Sequence, residues 1–114
     1  MTAYLFTFRA PAGYTPTPET FDTWAGWQAA LGARLKDRGY PGTAAATLGA
    51  SAAATTLGGY SLIRAGSMQD ALALGRGCPM LDHGGTVEIA ELAVHEDAFD
   101  QWLDKHLGAN GGRA

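Results

Sequence analysis

Gly58-Gly59-Tyr60-Ser61-Leu62-Ile63-Arg64, then Ser67-Met68-Gln69-Asp70-Ala71-Leu72-Ala73-Leu74, then Gly77-Cys78-Pro79-Met80-Leu81-Asp82-His83-Gly84-Gly85-Thr86-Val87-Glu88-Ile89 reads as strand, capped helix, loop and strand. The glycine pair precedes a strand over Tyr60–Arg64. Ser67 offers a hydroxyl to the orphan amides of a helix start, with Asp70 three residues on, a variant of the capping box. Met68, Ala71, Leu72 and Leu74 are read as the buried side of that helix. Gly77 ends it and Pro79 prevents its continuation. In the last strand, Thr86 to Leu92, Val87 and Ile89 share one face; Glu88, Ala90 and Leu92 share the other.

The same pattern occurs upstream. Ala3 to Arg9 alternates Tyr4, Phe6 and Phe8 against Ala3, Leu5 and Thr7. Both sets are largely apolar, which predicts a central strand. Ala10 to Pro18 reads as a proline-rich loop. Thr17-Pro18 opens a helix, with Thr as cap and Pro at the first helical position. Phe21, Trp24, Gln28, Leu31 and Leu35, with Trp27 beside them, predict one amphipathic face running to about Lys36. Thr43 to Thr56 is mostly Ala, Thr, Ser and Gly; a short strand is expected over Ala45–Leu48, with a turn at Gly49-Ala50-Ser51. The order β-α-β-β-α-β predicts an α+β, ferredoxin-like arrangement with both helices on one face of the sheet. The other face would then be too apolar to stay in water, and a second copy is the simplest cover.

Composition narrows the classes. The chain has 114 residues, 46% hydrophobic and 17% charged, with a formal net charge of −3. That is enough chain for one domain and enough apolar content for a core. The negative balance argues against nucleic acid or an anionic membrane as partner. A lone Cys78 excludes an internal disulfide framework. With no run long enough to span a membrane and no basic start to a leader, a cytoplasmic protein is expected. Residues 1–94 are read as the domain. Residues 95–114 are read as an added helix, with a Phe99, Trp102, Leu103 and His106 stripe, and a tail. That helix is expected to dock on its own domain or on a second subunit.

Two blocks together resemble the YCII-related (DGPF-type) domain family: Leu57-Gly58-Gly59-Tyr60-Ser61-Leu62-Ile63 and Gly77-Cys78-Pro79 through Gly84-Gly85-Thr86-Val87-Glu88-Ile89. Trp24-Ala25-Gly26-Trp27 and Leu35-Lys36-Asp37-Arg38-Gly39 resemble that family's first helix and the turn after it. The likeness covers roughly residues 3–93. It implies a dimeric α/β barrel of ferredoxin-like units. The Asp-Gly-Pro-Phe segment that names part of the family is absent. Trp24 stands where family members proposed to be enzymes carry a histidine, and Asp37 falls where an acid could be.

Several side chains are candidates for chemistry. His83, in a glycine-rich loop, has the side chain suited to acid/base work near neutral pH, or is simply an exposed loop histidine. Glu88, if Val87 and Ile89 pack on the helices, points into the barrel interior, where a desolvated carboxylate could act as a base, or pairs across strands with Arg9 or Arg64. Asp37 is a rim acid or a turn residue that satisfies amides. Trp24, Trp27, Tyr60 and Phe6 are pocket lining for a flat ligand or plain core. Cys78 reads as a structural thiol. No metal-ligand spacing, phosphate loop or nucleophile motif occurs, so no metal or cofactor is expected. The leading expectation is a cofactor-free isomerase, lyase or cyclase acting on an aromatic or polyketide-like metabolite. Its pocket would lie between sheet and first helix, with His83 and Glu88 as acid and base and Asp37 orienting one of them. The alternative is a non-catalytic metabolite-binding or accessory dimer.

Overall fold

A computed structural model describes residues 2–50, 54–92 and 96–107. The elements are β1 (Thr2–Pro11), α1 (Pro18–Leu31), β2 (Leu35–Asp37), β3 (Thr55–Ala65), α2 (Met68–Gly75), β4 (Thr86–Glu91) and α3 (Glu96–Leu107). Short 3-10 turns at Gly32–Arg34 and Pro79–His83 follow α1 and α2. The four strands form one open antiparallel sheet in the order β2-β3-β1-β4. The protein is therefore α+β, with β1 in the interior of its sheet.

Alternation along β1 sorts the side chains. Tyr4, Phe6 and Phe8 are buried on the helix side; Ala3, Leu5 and Thr7 are only half-buried on the other. Each of the three buried aromatics contributes about 2–3 kcal/mol by leaving water. The core also takes in Leu31 from α1, Ile63 and Ala65 from β3, Ala71 from α2, and Cys78 and Met80 beyond it.

The start of α1 is as the sequence predicts. Thr17 and Thr20 exchange hydrogen bonds: the Thr20 amide donates to Thr17 Oγ1 at 3.3 Å, and the Thr17 amide donates to Thr20 Oγ1 at 2.7 Å. Its end is earlier than expected. Gly32 takes φ +56°, which favours glycine and ends the helix at Leu31 instead of near Lys36. Leu35–Asp37 then extends as β2. The strand expected over Ala45–Leu48 is not formed: that run is exposed, and Leu48 is 99% accessible. Its small side chains offer too little apolar surface to hold an edge strand. Of the turn expected beside it, Ser51 lies outside the described residues.

Both helices present slightly different faces from those expected. Phe21 is 62% exposed, and Thr20, Trp24, Trp27 and Leu31 point inward instead. On α2, Met68 and Leu72 are exposed while Ala71 and Gly75 are buried. Small residues let α2 approach the sheet closely. A Cβ placed on Gly75 would sit 2.9 Å from Ile89 Cδ1 and 3.4 Å from Phe6 Cε2. The Ser67 cap holds as expected, its hydroxyl accepting from the Asp70 amide at 3.1 Å.

In α3, Trp102 is half exposed and its ring stacks on His106 with centroids 4.4 Å apart. Gly108 and the tail of residues 110–114 lie outside the described residues. No helix among the described residues is long and apolar enough to cross a membrane.

Candidate functional site

The face of the sheet opposite α1 and α2 is organised in rows by the strand register. Thr86, Arg9 and Leu57 lie opposite one another across β4, β1 and β3. Glu88, Thr7 and Tyr60 form the next row, and Ala90, Leu5 and Leu62 the one after. Arg64 stands opposite Ala3 at the far end. Leu57 and Tyr60 are 44% and 37% exposed, so this face carries apolar surface open to water.

This layout divides the sequence-predicted residues. Glu88 and Tyr60 share a row on the open face, flanking Thr7 about 10 Å apart at two strand spacings. Val87 and Ile89 pack toward the core. Glu88 is accordingly on the other side, exposed, with its carbonyl accepting from Thr7 Oγ1 at 3.4 Å. The cross-strand pair with Arg9 is not made, because Arg9 reaches the other way, to Thr55 on β3.

Phe6, Trp24 and Trp27 lie on the opposite side of the sheet, and Tyr60 cannot share a pocket with them. Phe8 meets Trp24 edge-on at 4.9 Å and Trp27 at 5.9 Å; Trp24 and Trp27 meet at 5.8 Å, and Phe6 lies 6.4 Å from Trp27. Trp27 Nε1 donates to the Leu74 carbonyl at 3.2 Å, tying α1 to α2. These rings fill the space between sheet and α1 where a pocket was expected. Edge-to-face pairs of this kind each add about 0.5–1.5 kcal/mol beyond their burial.

Asp37 is at the end of edge strand β2, and Glu88 is on the opposite edge strand β4. Three strand spacings, about 14 Å, separate them. The Asp37 carboxylate accepts from the Gly39 amide at 2.8 Å, which is the turn role. It therefore does not orient Glu88. His83 closes the 3-10 turn before β4, exposed, with its ring 5.4 Å from Tyr14. Cys78 is buried, and burial pushes its thiol up to about 11. That fits the structural reading.

Two features escaped the sequence reading. Tyr4 donates a 2.7 Å hydrogen bond to Glu91, its cross-strand neighbour on the helix side. The second is a groove of about 380 Å³ at the Arg9 end of the open face, walled by Ala45, Ala46 and Thr47 on one side and Thr55, Thr56 and Leu57 on the other. The signal available was Arg9 itself, the one charged residue of β1.

Among the described residues no group of three or more His, Cys, Asp or Glu side chains is placed to hold a metal ion; His95 lies outside them. The chain matches no family model, and no curated protein matches it.

Proposed function

We propose that this chain is a ferredoxin-like module that pairs with a second copy through its open sheet face, as a dimeric α/β barrel of the YCII-related kind, and binds a small metabolite along that face. The strand order β2-β3-β1-β4, antiparallel throughout, supports the ferredoxin-like reading. The observation that carries the pairing is the row Ala90–Leu5–Leu62, with Leu57 and Tyr60 beside it, on the face opposite the one that packs on α1 and α2. Two such faces brought together remove apolar surface from water at about 25 cal/mol per Å². In that dimer α3 docks on its own domain or crosses to the other subunit. The aromatic cluster beneath α1 belongs to folding in this reading.

A catalytic reading is favoured by one observation. Glu88 and Tyr60 flank Thr7 on the same face, and a second copy laid over them would strip water from the Glu88 carboxylate. Glu88 would then act as the base in cofactor-free acid/base chemistry on an aromatic or polyketide-like molecule.

Sedimentation equilibrium of the wild type and of Leu62→Lys tests the pairing. The wild type is expected to be a dimer at micromolar concentration. The variant is expected to be a folded monomer with unchanged far-ultraviolet circular dichroism. A monomeric wild type, or a Leu62→Lys dimer as tight as the wild type, overturns it.

A further inference from the structure

Arg9 occupies an irregular point in the sheet. The register between β1 and β3 shifts between Phe8 and Arg9, so Phe8 faces Gly59 while Arg9 faces Leu57, with Gly58 as the extra residue. Such bulges bend a strand and re-aim a side chain. Here the side chain lies along β3. Nε donates to Thr55 Oγ1 at 2.9 Å and Nη2 to the Thr55 carbonyl at 2.8 Å.

These two bonds fix the plane of the guanidinium and use two of its five N–H groups. Neither acceptor is charged. A half-buried cation is thus held at the wall of a groove, with only neutral hydrogen-bond partners among the described residues. The Thr55 hydroxyl, having accepted from Nε, keeps its own proton to donate.

The rest of the groove sets the size and polarity of what fits. Most of the lining is polar, from Arg9, Thr47, Thr55, Thr56 and backbone, with Ala45, Ala46 and Leu57 adding a smaller apolar share. About 380 Å³ is in the range of small-ligand sites. One cation balances one negative charge. The planar fork of arginine matches the two oxygens of a carboxylate in a bidentate pair. A phosphate dianion would leave charge uncompensated.

We propose that this groove binds a small monocarboxylate, held by Arg9 and seated between the wall of Ala45, Ala46 and Thr47 and the wall of Thr55, Thr56 and Leu57. This names the ligand class of the metabolite-binding reading above and rests on it. The groove is built within one chain, so its occupancy can be measured apart from pairing.

The experiment follows backbone amide shifts by NMR while the full chain is titrated with isovalerate and with benzoate. Isovaleramide and benzamide are the neutral controls, and inorganic phosphate is a third arm. Saturable shifts at Thr47, Thr55 and Thr56 are expected with the carboxylates and not with the amides. Arg9→Gln is expected to weaken carboxylate binding by about tenfold or more. Ala46→Glu leaves the sheet untouched and sets a carboxylate at the groove wall; it is expected to abolish binding with the fold intact, and serves if Arg9→Gln does not fold. Absence of saturable shifts with both acids, equal binding of the amides, tighter binding of phosphate, or full binding by Ala46→Glu overturns the proposal. Sedimentation of the same samples separates the two claims. A dimer that ignores carboxylates removes the ligand class alone, and a monomer that binds them removes the pairing alone.

Discussion

The Tyr4 phenol donates a 2.7 Å hydrogen bond to the carboxylate of Glu91, directly opposite it on the neighbouring strand. That bond, then burial, then the repulsion of the Glu91 charge push the phenol from its usual value near 10 up to about 12. The folded chain holds this proton more tightly than the unfolded chain does. The associated stability is therefore complete below about pH 10 and is lost as pH rises toward 12. Urea midpoints measured across this window should fall more steeply for the wild type than for Tyr4→Phe, which has no phenol to titrate.

Cys78 should be inert in the native state. Its burial disfavours the thiolate, which is the reacting form. A thiol-reactive disulfide reagent at pH 8 is expected to modify the folded chain far more slowly than the denatured one. The same raised value makes its contribution to stability complete below about pH 9, declining as the pH approaches 11. Rapid native modification would show that the core around Met80 opens readily.

Trp27 joins the two helices through its hydrogen bond to Leu74 and fills space against Phe6 and Phe8. Trp27→Phe keeps a ring but loses the bond, at about 1 kcal/mol. Trp27→Ala also opens a void, at roughly 3 kcal/mol. Chemical denaturation resolves the two. Equal costs would mean that packing carries nothing here.

Gly39 adopts φ +70°, and a Cβ there would run into the backbone carbonyl of Tyr60. Gly39→Ala combines strain with a backbone clash, and should cost about 2 kcal/mol or more. Gly13, at φ +81° with open space around its α-carbon, carries the strain without the clash. Gly13→Ala should therefore cost distinctly less in the same denaturation assay.

The contrast between these elements explains what could be read from the chain. Caps and alternation are local, so Thr17, Ser67 and the two-sidedness of Tyr4-Leu5-Phe6-Thr7-Phe8 were visible in the residues themselves. The end of α1 was not, because Leu35 continues the helical spacing past Gly32 and only the backbone angle at Gly32 breaks it. β2 was displaced for the same reason. The site was harder still. Tryptophans at helical spacing look the same whether they line a cavity or fill one, and the edge-on contacts of Trp24, Trp27 and Phe8 decide for filling. Tyr4 with Glu91 and Arg9 with Thr55 are separated by 87 and 46 positions. Such pairs depend on strand register, which no local pattern contains.

The alternation of β1 has a consequence for how the protein can change. Even-numbered positions from Tyr4 to Phe8 serve the interior, and odd-numbered positions from Leu5 to Arg9 serve whatever meets the open face. Substitution can rewrite the odd set without revisiting the even one. A library randomised at Leu5, Thr7, Tyr60, Leu62 and Glu88 should therefore stay folded in most of its members while its recognition properties diverge, which makes the strand a partition between inherited architecture and evolvable surface.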